Sequence, residues 1–190
     1  MRKMDKVAIG TKNARMVELH PHLREFLPWL DLLNSESERG QVLISTGFLE
    51  EQLEEILRAH LLKNAGAKAL FEGGNAPLGT FSSRIAACFA LGLISAEEHR
   101  DLTIIRTIRN LFAHKIQTTF AQPAIADRCA QLHARAHDYT NNDGEEIRVG
   151  ARGQFMTAAT GLIAGLIGRG GYTRGPRYDE TTESPEIGKR

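Results

Sequence analysis

The sequence predicts an all-α, single-domain helical bundle, and three observations predict it. Apolar residues recur at i, i+3, i+4 and i+7 through nearly every patterned segment. No alternating apolar–polar stretch is long enough for a useful strand. The 190 residues, 42% hydrophobic and 25% charged, suffice for one core of ordinary size. Aromatic residues make up only 6%, which weighs against a β-sandwich. The bundle is expected over residues 18–168, with about five or six helices. A flexible start over 1–17 and a Gly-, Pro- and charge-rich disordered tail over 169–190 are expected to flank it.

Each element has its own signal. Leu23, Phe26, Leu27, Leu30 and Leu33 share helical spacing over 19–33, with Pro28 as a kink or break. Ser35 with Glu38 three residues later fits a capping box. It opens a helix from about residue 36 to 63, whose stripe is Val42, Ile44, Phe48, Leu49, Leu53, Ile56, Leu57 and Leu61. Lys63-Asn-Ala-Gly66 supplies the stop, with Gly66 suited to a left-handed end position. Gly73, Gly74, Pro77 and Gly79 make 67–79 a loop with room for one short turn. Thr80 caps a helix over 81–91 that ends at Gly92. Ser95 and Glu98 form a second capping box, starting a helix to about His114. Pro123 takes the first helical place of the next helix, with Ile125, Ala126, Cys129, Leu132 and Ala136 as its stripe. Asn141-Asn-Asp-Gly144 marks a polar turn, and a last helix covers roughly 150–167.

Charge narrows the function. Lys and Arg total 24 and Asp and Glu 23, a net charge of +1. General electrostatic binders of nucleic acid carry a clear basic excess, so broad coating of DNA or RNA is excluded. The two cysteines, Cys88 and Cys129, lie in apolar helical surroundings, and no apolar run follows the charged N-terminus. Both point to a reducing cytoplasm. The weakly polar run 155–167 is too short to cross a bilayer.

The segment from Asp101 to His114 carries the most chemistry. On a wheel of about 100° per residue, Ile104, Ile105, Ile108, Leu111 and Phe112 form one continuous core face. Arg106, Arg109, Asn110 and His114 share the opposite face. Asn110 and His114 are four apart and can touch. Arg109 and His114 are five apart, about 140° around the helix, and can act on one group only from the two edges of the face or across a dimer. The alternative is a face that only stabilises the bundle or its dimer, with Glu54, Glu55 and Asp101 as candidate ion-pair partners for the arginines.

Arg109-Asn-Leu-Phe-Ala-His114 resembles the Arg-x4-His motif of the HEPN superfamily, including the polar residue after the arginine. Further segments are similar to the mannitol operon repressor family. They are Leu33-Asn-Ser-Glu-Ser-Glu-Arg-Gly40, Phe48-Leu-Glu-Glu-Gln-Leu-Glu-Glu-Ile-Leu57, Asn75-Ala-Pro-Leu-Gly-Thr-Phe-Ser-Ser-Arg-Ile85, Leu91-Gly-Leu-Ile-Ser-Ala-Glu-Glu-His-Arg-Asp-Leu102 and Arg152-Gly-Gln-Phe155. The resemblance spans residues 33–168. It implies an all-helical regulatory protein of a family associated with repression of sugar-alcohol operons. The HEPN resemblance implies a homodimer with the Arg-x4-His motifs face to face. No helix-turn-helix pair with a basic recognition helix and no zinc-finger spacing is present, so a partner protein is as good a route to regulation as DNA.

In catalytic HEPN relatives the motif cuts RNA without metal, the 2′-hydroxyl attacking the adjacent phosphate. Carried over, His114 is the acid/base, Arg109 the phosphate clamp and Asn110 an orienting group. Arg106 joins from the wheel alone. The expected function is regulatory, through a protein or nucleic-acid partner bound at Arg106, Arg109, Asn110 and His114. The alternatives are a metal-independent endoribonuclease, acting as a toxin or defence effector, and a non-catalytic scaffolding subunit.

Weaker patterns remain. Cys129, His133 and His137 are four apart on one predicted helix, but such a row spans about 12 Å, too long for one ion. No metal or cofactor is expected. Gly161-Leu-Ile-Ala-Gly165 suggests close packing of the last helix on the bundle or on a partner subunit. Gly73–Gly79 lacks the preceding strand and following Lys-Ser/Thr of a nucleotide loop.

Overall fold

Ser37 begins the longest helix. Its hydroxyl accepts the Gly40 N–H at 3.1 Å, and α2, Glu38–His60, runs on for 23 residues. The expected cap at Ser35 is corrected. That hydroxyl instead donates to the Leu32 carbonyl at 2.8 Å and closes α1, Leu27–Ser35. A serine serves equally as acceptor at a helix start or donor at a helix end, so two serines two residues apart are ambiguous in sequence. The computed structural model describes residues 27–169. The helical turns expected before residue 27, the flexible start and the tail beyond 169 lie outside the described residues.

The second correction follows α2. Asn64 accepts the Ala67 N–H at 2.9 Å and caps a short helix, α3, Ala65–Phe71. Gly66 is therefore inside a helix and ends none, and the expected loop begins only after Phe71. The left-handed position falls instead at Gly73, φ +104°. The next two caps stand as predicted. Thr80 and Ser83 form a reciprocal box at α4, Phe81–Ala90, and Ser95 and Glu98 another at α5, Ala96–His114. Gly92, φ +66°, turns the chain between them.

Pro123 opens α6, which stops at Ala130 and not near Ala136. The cause lies 32 residues upstream. The buried Asp101 carboxylate accepts the His133 N–H at 2.7 Å and the Ala134 N–H at 2.9 Å, drawing the chain off the helical path. The row of Cys129, His133 and His137 therefore does not form, and no cluster of three ligating side chains exists among the described residues. A two-residue hairpin follows, β1 Tyr139–Thr140 against β2 Glu146–Ile147, antiparallel with Tyr139 opposite Ile147. Asn141 ties its turn by accepting the Asp143 and Glu145 N–H groups. The last helix is α7, Ala151–Leu166. The described chain thus has seven helices, against about five or six expected.

Helix α2 lies at the centre, with α4, α5 and α7 packed along it and α1 against its first half. Leu49, Leu53, Ile56 and Leu57 of α2 meet Ile105, Ile108 and Phe112 of α5 and Phe155, Ala158 and Ile163 of α7 in one core. Phe112, Phe120 and Phe155 pack through it as a row of tilted rings, with centroids 5.1 and 5.4 Å apart. Gln41, itself buried, joins three elements: it donates to the Leu33 carbonyl and accepts from Arg152 Nε at 2.8 Å. Arg84 of α4 lies between Glu50 and Glu54 of α2 and donates to the Leu78 carbonyl, anchoring the glycine-rich loop. Gly161 and Gly165 are exposed, and no described atom would crowd a Cβ at Gly161. The expected packing of this pair onto the bundle is corrected, since the buried side of α7 is its Phe155, Ala159, Leu162 and Leu166 edge. No described helix is long and apolar enough to cross a membrane.

Both cysteines are free and fully buried. Burial pushes the two thiols up to about 12, at Cys88 against the pull of Arg169. The native protein is expected to leave both unreacted with a thiol-exchange reagent at pH 8, and to yield two thiols once unfolded in guanidinium. Rapid native labelling would show that the α2–α4 or α5–α6 packing opens.

Candidate functional site

The core side of α5 sets the site. Ile105, Ile108 and Phe112 are fully buried, and Ile104 and Leu111 pack on the core from its edge. The helix is thereby locked about its axis, and Arg106, Arg109 and Asn110 are half-buried on its other side. His114, the last helical residue, is exposed. The predicted division of this helix into an apolar and a polar face holds.

Arg109 and Asn110 are brought together: Arg109 Nη1 donates to Asn110 Oδ1 at 3.1 Å. No hydrogen bond or ion pair joins His114 to Arg109, Asn110 or Arg106 among the described residues. The candidate counter-ions are engaged elsewhere. Glu54 binds Arg58 and Arg84, each at 2.7 Å. Glu55 accepts from Gln52, and burial, then the neighbouring Glu51, holds its carboxyl above the usual range. Asp101 is turned inward to the His133 and Ala134 amides. No described carboxylate neutralises Arg106 or Arg109.

One contributor could not be read in sequence. Arg39 of α2 donates through Nη2 to the carbonyls of Lys115 and Ile116, 2.7 Å each, just past the end of α5. The terminal carbonyls of a helix call for a cation or donor. Nothing in the order of residues names an arginine 76 positions earlier.

A shallow recess of about 600 Å³ lies elsewhere, lined by Leu93, Ser95, Glu97, Glu98, His133 and Arg169 among others. None of the four predicted site residues lines it. Its guanidinium is already neutralised, since Arg169 holds Glu98 at 2.7 and 2.8 Å. The α5 face, with unpaired charge, is the better candidate. Burial pushes the Glu98 carboxyl up, but the Arg169 bonds and the Ser95 N–H outweigh it and hold the group below the usual carboxylate range. A carboxylate held low when folded adds stability above its unfolded pKa, and loses it as pH falls through the folded value. Glu98→Gln is therefore expected to melt below wild type at pH 7, with the gap closing in melts run below about pH 4. An equal gap at both pH values would assign the loss to packing alone.

No family model and no curated protein matches this chain. Among solved structures, a chain in the X-ray structure of the MtlR-HPr complex from Escherichia coli is similar. It is 19% identical with a TM-score of 0.56, over 72% of this chain and 94% of that one. The likeness is one of fold, and covers nearly the whole of the neighbour's chain.

Proposed function

We propose that this chain is a regulatory protein that acts by holding a partner protein on the α5 face formed by Arg106, Arg109, Asn110 and His114. One observation carries the reading: two half-buried guanidinium groups on that face meet no described carboxylate. Desolvating a charge without a partner costs stability, so folding gains nothing from the arrangement and a binding role accounts for it. The Asn110 amide holds Arg109 in one orientation, which lowers the ordering cost on binding. The resemblance to the mannitol operon repressor family supports a regulatory role. The fold shared with a chain of the MtlR-HPr complex supports a protein as partner.

HPr from the same source is the first probe. Titration calorimetry is expected to show saturable binding that Arg109→Glu weakens by about tenfold or more, with the melting temperature nearly unchanged. Absence of binding would remove HPr as the partner, and an Arg109→Glu variant that binds as wild type would remove the face.

The ribonuclease alternative asks more of the geometry. Five residues separate Arg109 and His114 by about 7.5 Å along one helix and about 140° around it, so joint action on one phosphate must come from the two edges of the face or across a second copy. Incubation with RNA in EDTA is expected to leave it intact. Cleavage to cyclic phosphate ends, abolished by His114→Ala, would move the assignment to a nuclease. Light scattering in the same buffer would show the homodimer that the second route requires.

A further inference from the structure

The turn that ends α5 exposes its isoleucine almost completely: Ile116 is 93% accessible. Scattered apolar residues on a surface are ordinary, but this one sits on a pinned turn. Arg39 grips the carbonyls of Lys115 and Ile116, the Thr118 N–H donates to Lys115, and the Thr118 hydroxyl donates to the Leu111 carbonyl. Thr118 itself is buried. The isoleucine is thus presented on an ordered backbone, and a partner that covers it pays little to order it.

Arg39 and Lys115 bring positive charge to the turn, and Glu38 brings a carboxylate to its Phe120 end. Arg39, Arg106, Arg109 and Lys115 belong to no ion pair among the described residues. Glu38, beside Arg39 in sequence, has its carboxylate on the Phe120 N–H at 2.9 Å. We infer that this corner is a docking knob for an acidic protein segment, with Ile116 entering an apolar recess of the partner and Lys115, Arg106 and Arg109 facing its carboxylates. The inference rests on the proposed protein-binding role of the α5 face and extends it to the following turn. An apolar centre within a charged rim is the usual build of a protein interface. A nucleic acid would use the cations but gain nothing from an aliphatic knob, which neither stacks on a base nor contacts a phosphate.

The test is fluorescence anisotropy on the full chain with three labelled probes of equal length. They are a peptide alternating glutamate with leucine, the same peptide with lysine for glutamate, and a single-stranded RNA. Saturable binding of the acidic peptide is expected, weakened about tenfold by Ile116→Asp and about threefold by Lys115→Glu, and kept within about twofold by Ile116→Val. The melting temperature of Ile116→Asp should match wild type, since the side chain lies outside the core. No saturable binding of the acidic peptide, equal binding by Ile116→Asp, or tighter binding of the RNA or the basic peptide each overturns the inference. If Ile116→Asp binds as wild type while Arg106→Glu and Arg109→Glu do not, the knob is lost but the α5 face stands. If none of the three matters, both are lost.

Discussion

Asp101→Ala is expected to destabilise the protein by about 3 kcal/mol, lowering the melting temperature by roughly 6–12 °C. The carboxylate is 1% exposed and accepts two backbone N–H groups, from His133 and Ala134, at 2.7 and 2.9 Å. Its removal leaves two amides without their charged acceptor and releases the segment that follows α6. Asp101→Asn keeps one acceptor oxygen in place and should lose less, about 1–2 kcal/mol. Hydrogen exchange read alongside the melt should show the loss concentrated at His133 and Ala134. An alanine variant that melts within 2 °C of wild type would mean that α6 ends for another reason.

Phe155→Ala is expected to cost about 4 kcal/mol in urea unfolding. The ring is fully buried and follows Phe120, whose centroid lies 5.4 Å away, and Phe112, 5.1 Å further along the row. A cavity there loosens the core side of α5, whose opposite face carries Arg109 and Asn110. Phe155→Leu should cost about 1–2 kcal/mol, because much of the volume remains. The alanine variant should also weaken partner binding more than its fraction unfolded explains, since the α5 face is held by what lies behind it. A loss under 1.5 kcal/mol would show that the neighbouring side chains close the gap.

How much was legible can be followed residue by residue. The cap at Thr80 and the capping box at Ser95 were readable because cap and amide lie three residues apart, while the return bond from Ser83 was not read. The faces of α5 were readable because a stripe of isoleucines and Phe112 can be buried in only one rotation about the axis. Local ambiguity misplaced two boundaries. Ser35 and Ser37 offered equal caps, and Asn64 outcompeted Gly66 by starting a helix where the glycine suggested a stop. The end of α6 was beyond local reading, since its cause, Asp101, is on another helix. The same holds for the glycines of α7, whose exposure depends on which side α2 and α6 occupy.

By itself, the sequence determined the helical class, the central helices and the polar side of α5 that carries Arg106, Arg109 and Asn110. These depend on interactions within a turn or two of one chain segment, which spacing records directly. Only the tertiary structure decided that Glu54 meets Arg84, that Asp101 is turned inward, that the two arginines meet no described counter-ion, and that Arg39 pins Ile116 in the open. The Glu54–Arg84, Asp101–His133 and Arg39–Lys115 contacts each join groups 30 or more residues apart. Competition for a partner at that range is settled by how the helices pack, and no residue spacing encodes its winner.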